Sequence, residues 1–410
     1  MPRATRRTRS GRRETRRRRG GRIVFSGSYG CAFRPAIRCK GEAERRPGMI
    51  SKLMNKEFAQ AEYAFKGRFE PIDPHMEYFY YPETMCVPDL TPNEEDNFAA
   101  CTVLDARSKP TLLLSRDGGV DLSHIQLASE DYVPFFSSLM TLFDGLVLLH
   151  SRGVVHMDIK PPNIVSKRAA DGSFITRYID VGISDTIARA VERPPYDTYA
   201  YWPFDLRLIH PSFRSGRADV TEEMISDYYN SFIYNGPMFP SWLYSMPNGG
   251  LLTTTWCERF IQLAARGGFP KERVITGVDL FALGRTIAEV YARLTGHLYV
   301  GEKVKRTIYS RITGQGDRLK GVIAVRSANT GDSHHLAAYH RVLANRVSLP
   351  LYHLVADMIA VDPLKRISAV DAAARYRALL PHMSDVFAEY AAARWVAPLT
   401  DPGDAPVAGA

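Results

Sequence analysis

The stretch "VVHMDIKPPNIV", residues 154–165, places four different polar groups between two short apolar runs. The groups are an imidazole, a carboxylate, an ammonium and a carboxamide, carried by His156, Asp158, Lys160 and Asn163. Two consecutive prolines exclude a regular helix here, because neither has an amide hydrogen and each disfavours helical geometry in the residue before it. The stretch is therefore predicted to be a loop between strand-like ends, with its polar groups at fixed spacings.

A β-hairpin is predicted directly after this loop. Asp171-Gly172 is a strong two-residue turn signal and lies between two β-type runs. Closing the hairpin would bring Asn163 close to Asp180, with Asp158 beside them. Carboxamide and carboxylate oxygens suit Mg²⁺, which keeps water and phosphate oxygens as its other ligands. The sequence thus predicts a phosphate-handling metal site with Asn163 and Asp180 as ligands.

A glycine-containing turn near the N-terminus is a second candidate phosphate site. In "SGSYGCAF", Gly27 and Gly30 enclose Ser28 and Tyr29 in a tight turn between two β-type runs. Glycines let backbone amides approach phosphates closely, because they carry no Cβ. An ordinary hairpin is the alternative, and the turn alone does not exclude it.

A lysine in the next predicted strand adds to this candidate site. Lys52, in "MISKLM", has apolar neighbours, which makes its ammonium costly to place unless the head group reaches an anion. A surface lysine with a buried stem is the alternative. The helix that follows carries Glu57 and Glu62, either of which could pair with Lys52. The local sequence "AEY" favours Glu62.

Length and composition are those of an ordinary globular protein. With 410 residues, 45% of them hydrophobic and 24% charged, the chain can bury a large core in one two-lobed domain or in two domains. We find no apolar run close to the roughly 20 residues of a membrane helix, and the N-terminus is arginine-rich where a signal peptide would be apolar. These features predict a soluble intracellular protein without a membrane partner.

The net charge of +9 resides in the N-terminal tail. Residues 1–22 hold eleven arginines and one glutamate, so the rest of the chain is nearly neutral. Such a block is predicted to be disordered and to attract nucleic acid or an acidic protein partner. A nuclear-targeting or nucleic-acid-binding arm and a solubilising tail are the two interpretations. Residues 396–410, which are small and proline-rich, are predicted to form a second disordered tail.

Cysteine usage indicates neither a zinc site nor a disulfide framework. The five cysteines contain no C-x-x-C pair, so reduced thiols are expected. Cys31 and Cys39 could meet across a hairpin, but two small buried apolar side chains are the favoured interpretation.

The apolar periodicity predicts a small β-rich region followed by a larger helical one. Residues 22–117 are mostly short β-type runs, with one helix in "NKEFAQAEYAF". In residues 131–150 an apolar stripe predicts a core helix, formed by Phe135, Leu139, Leu142, Leu146 and Leu149. Further helices are predicted at 221–234, 253–265, 278–293, 336–345, 350–360 and 369–379.

Taken together, these motifs resemble those of eukaryotic-type protein kinases. His156-x-Asp158-x-Lys160-x-x-Asn163 and the D-x-G triplet beginning at Asp180 are similar to the family's catalytic loop and metal-binding triplet. The glycine turn, strand lysine, helix glutamate, loop and triplet occur in the family's order. The stretches "GSYGCAF", "ISKLM", "IDP", "DGGVDL" and "HMDIKPPN" are most similar to serine/threonine kinases of large double-stranded DNA viruses.

The resemblance assigns roles in phosphoryl transfer to four residues of the loop and triplet. Asp158 would accept or orient the proton of the substrate hydroxyl, and Lys160 would steady the transferring phosphoryl group. Asn163 and Asp180 would hold Mg²⁺, or Mn²⁺ in its place, against the phosphates of ATP. His156 would brace the loop without a catalytic role.

Residues before the loop would bind the nucleotide. The resemblance implies that Lys52, fixed by Glu62, grips the α- and β-phosphates and that the turn from Gly27 to Gly30 covers them. Downstream, "GVDLFALG" resembles a helix whose aspartate, Asp279, braces the catalytic loop. "DPLKRISA" resembles a segment whose arginine pairs with an acidic residue, which here are Arg366 and Asp205.

The implied fold is α+β and bilobal. It comprises a disordered tail (1–22), a small β-rich N-lobe with one helix (23–117), a larger helical C-lobe (118–395) with an insertion at about 206–278, and a disordered tail (396–410). The implied activity is transfer of the ATP γ-phosphate to serine or threonine hydroxyls of protein substrates. The implied location is the host cytoplasm or nucleus, with packaging in the virion as a further option.

Departures from the family pattern leave alternatives open. Phe25 stands where the first glycine of the turn would fall, and Met157 stands where many regulated kinases have arginine. A catalytically weak, pseudokinase-like scaffold, associated with the virion or with nucleic acid, is therefore the main alternative to an enzyme. A small-molecule phosphotransferase shares the loop chemistry, but the features at Asp205 and Arg366 argue against it.

Overall fold

The structure is a computed structural model, and the protein is a mixed α+β protein with strands concentrated before Asp117. The structure describes residues 22–27, 29–89, 101–104, 109–194, 199–216, 218–225, 227–228, 254–267, 270–295 and 344–392. Both predicted tails, apart from Arg22, lie outside the described residues. So do Ser28, residues 336–343 of the predicted helix at 336–345, and parts of the predicted helix at 221–234 and of the insertion at 206–278. The last two residues of the helix predicted at 336–345 belong to a π-helical turn, Ala344–Ser348.

The chain divides into two compact units. Unit 1 contains the described residues up to Lys66 together with Pro82–Asp117. Unit 2 contains Gly67–Tyr81 and the described residues from Gly118 onward. The segment Gly67–Tyr81 thus lies in the helical unit, whereas the sequence had placed it in the N-lobe range 23–117.

Unit 1 is built on a five-stranded antiparallel sheet in the order β1-β2-β3-β5-β4. Its strands are β1 (Arg22–Ser26), β2 (Gly30–Arg34), β3 (Met49–Asn55), β4 (Thr84–Cys86) and β5 (Pro110–Arg116). Two short helices, α1 (Lys56–Ala64) and α2 (Lys66–Phe69, which continues into unit 2), follow β3. β1, β2, β3 and β5 coincide with β-type runs that the sequence predicted, and α1 matches the predicted helix, whereas β4 was not predicted.

Two disulfide bonds tie unit 1 together. Cys31 of β2 is bonded to Cys101, and Cys39 is bonded to Cys86 of β4. The expectation of reduced thiols is wrong for these four residues, whereas Cys257 is free and buried. The bonded cysteines are 70 and 47 residues apart in the chain, so no local spacing could have indicated them.

Loss of the Cys31–Cys101 bond is expected to weaken unit 1. A cross-link that closes a loop of this length restricts the unfolded chain, and its removal costs about 2–4 kcal/mol. A Cys31→Ser/Cys101→Ser double variant should therefore show faster hydrogen exchange at the β3 amides that pair with β2. The Cys257→Ser variant serves as control and should leave this exchange unchanged. Alkylation of all five thiols in the unreduced native protein would contradict the bonded state.

Short strands in unit 2 position the segment around Asp158. β6 (Val120–Asp121), β8 (Ile164–Arg168) and β9 (Phe174–Tyr178) form a three-stranded sheet in the order β6-β8-β9. β7 (Val154–Val155) pairs with β10 (Asp185–Thr186). The segment Gly67–Tyr81 joins β9 through two backbone bonds, from Tyr80 N–H to Tyr178 O and from Tyr178 N–H to Tyr78 O. These bonds explain why this segment belongs to unit 2.

The predicted core helix at 131–150 is present but interrupted. It forms α3 (Tyr132–Ser138) and α4 (Met140–Ser151), and all five residues of its predicted stripe are buried. At the interruption, the hydroxyl of Ser138 donates to Phe135 O, and the hydroxyl of Thr141 donates to Ser138 O. Such side-chain bonds compete with the helical backbone pattern, which accounts for the break.

The stretch Tyr132–Ser151 has 20 residues and is long and apolar enough to cross a membrane, with a mean hydropathy of 1.6 over an 18-residue window. The expectation that no run approaches this length is therefore wrong. Half of the stretch is buried inside the protein. Buried core helices meet the same length and composition criteria, so this is weak support for a membrane span.

The remaining helices complete unit 2. They are α5 (Ile187–Glu192), α6 (Phe204–Leu208), α7 (Pro211–Arg214), α8 (Thr254–Ala265), α9 (Lys271–Thr295), α10 (Leu349–Met358) and α11 (Ala369–Ala392). α11 extends well past the predicted end at 379 and contains Pro381. Beyond this proline, Phe387 is buried and stacks on Phe136 of α3, with ring centroids 5.1 Å apart. This packing offsets the helix-breaking tendency of proline.

Candidate active site

The glycine turn joins β1 to β2 in unit 1. The Gly27 amide donates to Gly30 O at 2.9 Å, so this amide is bonded within the turn. A Cβ at Gly30 would lie 2.5 Å from Leu53 O, and a Cβ at Gly27 would lie 2.9 Å from Cε1 of Phe25. Close packing therefore requires glycine at position 30 independently of any phosphate, whereas the Phe25 ring, which is 48% exposed, can move away from a side chain at position 27. Tyr29 is exposed at the turn.

Lys52 and Glu62 form an ion pair in unit 1. Lys52 Nζ donates to Glu62 Oε2 at 2.7 Å, and the Glu62 side chain is 12% exposed. The sequence left Glu57 as an alternative partner and favoured Glu62, and the structure confirms the pairing with Glu62. Helix α1 begins directly after β3, which brings Glu62 back over the strand that carries Lys52.

The predicted hairpin is present and joins Asn163 to the segment before Asp180. β8 and β9 pair from Ile164↔Tyr178 onward, and Gly172 at the turn has a φ of 85°, which favours glycine. At the open end, Ile179 N–H donates to Asn163 O at 2.9 Å. The hairpin thus brings Asn163 and Asp180 to the same end, as the sequence predicted.

The Asp158 carboxylate accepts hydrogen bonds from two other side chains of this loop. Lys160 Nζ donates to both Oδ1 and Oδ2 of Asp158 at 3.0 Å. Asn163 Nδ2 donates to Asp158 Oδ2 at 2.7 Å and to its backbone carbonyl at 2.9 Å. The three residues that the sequence selected from this loop therefore form one connected cluster.

Asp279 holds the backbone of the loop. Its carboxylate, which is fully buried in α9, accepts from the amides of His156 and Met157, both at 2.8 Å. His150 Nε2 lies 3.0 Å from the same carboxylate. Met157 has a φ of 69°, in the left-handed region that costs free energy for a side chain of this size. The bracing by Asp279 that the resemblance implied is confirmed.

His156 is buried at the centre of the acidic groups. Burial lowers its pKa, and the carboxylates of Asp279, Asp158 and Asp180 offset part of this effect. The neutral ring accepts at Nδ1 from the Asp158 amide at 3.3 Å. Its ring lies 5.4 Å from the Tyr178 ring, measured between centroids, which agrees with a bracing role.

The protein is expected to lose stability on acidification through His156. The pKa of His156 in the folded protein lies below the value of about 6.5 in unfolded chains. Its contribution to the free energy of unfolding is therefore fully present above about pH 6.5. It falls as the pH decreases towards the folded pKa, with a limiting slope near 1.4 kcal/mol per pH unit. Urea unfolding at pH 5–8 measures this slope. The slope of the free energy of unfolding against pH should be smaller in His156→Phe and unchanged in the exposed control His124→Asn. Equal slopes in wild type and both variants would contradict the prediction.

A buried ion pair connects two segments of unit 2. Arg366 Nη2 and Nη1 donate to the Asp205 carboxylate at 2.7 and 3.3 Å, and both side chains are 1% exposed. Arg366 also donates to Ala360 O. Burial raises the pKa of Asp205, and the Arg366 guanidinium opposes this rise. The pairing that the resemblance implied is confirmed.

Tyr199 also belongs to the cluster around Asp158, although the sequence motifs did not include it. Its hydroxyl donates to Asp158 Oδ1 at 3.2 Å, and Lys160 Nζ lies 5.6 Å from the centre of its ring. Close by, Trp202 Nε1 donates to Met157 O at 2.7 Å. The signal that the sequence offers is the aromatic cluster "YAYW" at 199–202.

The oxygen groups of the loop fit a divalent metal ion. Asn163 uses its NH₂ group as donor to Asp158, which leaves its carbonyl oxygen as an acceptor. Asp180 has a φ of 60°, a strained conformation of the kind that occurs at functional sites. Among the described residues, no three His, Cys, Asp or Glu side chains form a metal-binding group. One carboxylate and one amide are enough for Mg²⁺ that retains water and phosphate ligands.

Comparison with protein families and with curated proteins finds no relative of this chain. No protein-family model matches the chain, and no curated protein matches it either.

Proposed function

We propose that the protein is a serine/threonine protein kinase that transfers the γ-phosphate of ATP to protein hydroxyls. The observation that carries this proposal is the cluster around Asp158. One carboxylate contacts an ammonium and a carboxamide of the same loop, and the hairpin brings Asp180 to the end where Asn163 lies. A base, a cation and two metal-binding oxygens are the groups that phosphoryl transfer requires.

In this proposal, Asp158 orients the acceptor hydroxyl and takes its proton as the oxygen attacks the γ-phosphorus. Lys160 neutralises charge on the transferring phosphoryl group. Asn163 and Asp180 hold Mg²⁺, which supplies charge stabilisation to the ATP phosphates when bound. In unit 1, the Lys52 ammonium, oriented by Glu62, contacts the α- and β-phosphates.

A pseudokinase-like scaffold is the second candidate. The observation in its favour is the glycine turn, in which the Gly27 amide is bonded to Gly30 O and the Phe25 ring packs against Gly27. A turn closed in this way has one amide fewer for a phosphate. The two candidates differ in a measurable way, because a scaffold would bind without transferring phosphate.

The test is a transfer assay with labelled ATP and Mg²⁺, in which acidic, basic and neutral proteins and, separately, small hydroxyl compounds are offered as acceptors. Wild type is compared with Asp180→Asn, which removes the proposed metal-binding charge while keeping the size of the side chain. ATP binding is measured separately by equilibrium dialysis. Circular dichroism of both proteins shows whether the variant is folded.

Labelled phosphoserine or phosphothreonine with wild type, lost in Asp180→Asn, is the expected result. ATP binding without transfer would contradict the kinase and favour the scaffold. Transfer to small hydroxyl compounds but not to proteins would indicate a small-molecule phosphotransferase.

A further inference from the structure

The carboxylate of Asp158 is fully occupied by hydrogen-bond donors. Oδ2 accepts from Lys160 and Asn163, and Oδ1 accepts from Lys160 and Tyr199. A carboxylate has about four lone-pair sites, and all four are used. Any hydroxyl that approaches this carboxylate must therefore displace one of the donors already present.

Tyr199 is the donor that can leave most easily. Lys160 and Asn163 belong to the same loop as Asp158, and each makes two bonds to it. Tyr199 comes from a different segment and makes one bond, which at 3.2 Å is the longest of the four to the carboxylate. Its phenol differs from the other two groups in a second respect, because it is a neutral O–H donor like the hydroxyl of a substrate.

The Tyr199 side chain is nevertheless held in place. Its ring packs edge-on against Trp202, with centroids 5.4 Å apart, and Trp202 is bonded to the loop at Met157 O. Burial and the nearby Asp158 carboxylate raise the pKa of Tyr199, so the phenol keeps its proton and remains a donor.

We propose that the Tyr199 hydroxyl occupies the position of the acceptor hydroxyl on Asp158 and competes with the protein substrate for it. This inference rests on the proposed kinase function. Binding of a substrate hydroxyl then requires the Tyr199 hydroxyl to move away from Oδ1. Removal of the phenolic oxygen eliminates the competitor while keeping the ring that packs on Trp202.

The experiment compares wild type, Tyr199→Phe and Tyr201→Phe in steady-state transfer from ATP to casein and to histone. Tyr201→Phe is the matched control, because the Tyr201 hydroxyl donates to Glu289 at 2.9 Å and not to Asp158. For Tyr199→Phe, we expect the KM for the acceptor protein to fall about two- to tenfold, the range for one net hydrogen bond. The kcat should not fall, and the KM for ATP and both constants of the control should stay unchanged.

Four results would overturn the inference. A lower kcat with an unchanged acceptor KM would show that Tyr199 positions the base instead of competing for it. Unchanged kinetics, or an equal effect of Tyr201→Phe, would show that the contact does not limit substrate binding; in these cases the kinase function stands. Absence of transfer by all three proteins, with ATP bound, would overturn the kinase function and the inference together.

Discussion

Replacing Asp158 by asparagine is expected to slow phosphoryl transfer by about 10²–10⁴-fold, the usual contribution of a positioned general base. The carboxamide cannot take the proton of an acceptor hydroxyl. Its NH₂ group would also face donors, because both oxygens of Asp158 accept from Lys160 and a second donor. The rate constant for transfer at saturating ATP measures the effect, and ATP affinity should change little.

A matched control is available in the hairpin that follows the loop. Asp171→Asn makes the same chemical change at an exposed turn, and Asn-Gly is as good a turn sequence as Asp-Gly. This variant should keep the wild-type rate. Equal rates for Asp158→Asn and wild type would show that Asp158 is not the base, and equal losses in both variants would point to damage to the hairpin.

The Asp205→Asn substitution is expected to destabilise unit 2 by about 3–5 kcal/mol, because it leaves a buried arginine without its counter-charge. Arg366 is 1% exposed, and in this variant it keeps its bonds to Ala360 O and faces a neutral carboxamide in place of the carboxylate. Urea unfolding followed by tryptophan fluorescence measures the change. All four tryptophans follow Gly118 in the sequence, so the signal reports on unit 2.

Two further variants test whether burial is the cause. Asp144→Asn breaks the exposed ion pair with Arg377 and should cost less than about 1 kcal/mol. Replacing both buried partners, Asp205→Leu with Arg366→Met, should recover much of the loss, because no charge remains buried. A cost for Asp205→Asn equal to that for Asp144→Asn would contradict the expected importance of the pair.

Much of the site could be predicted from the sequence because its determinants are local. Two prolines define the loop, Asp171-Gly172 defines the turn, and their spacing brings Asn163 to the end of the hairpin near Asp180. Lys52 and Glu62 are close in the chain and joined by a strand and a helix, so their pairing also follows from short-range geometry.

The features that were missed depend on contacts between distant residues. The partners in each disulfide are separated by tens of residues, and their pairing depends on how β2 and β4 lie in the sheet. The contact of Tyr199 with Asp158 spans 41 positions, and the chain between them passes through β8, β9, β10 and α5, so short-range geometry does not predict it. Helix α11 continues through Pro381 because of burial beyond the proline, which a propensity argument cannot include.

The position of Asp279 in the chain has a consequence for truncated forms of the protein. Every side chain proposed to act on ATP or the acceptor precedes residue 181, but the carboxylate that binds the amides of His156 and Met157 lies about a hundred residues later. A nascent polypeptide or proteolytic fragment that ends before α9 would contain all the reactive groups without this support. Such a fragment should be inert, so premature termination anywhere before this helix would yield no partially active product.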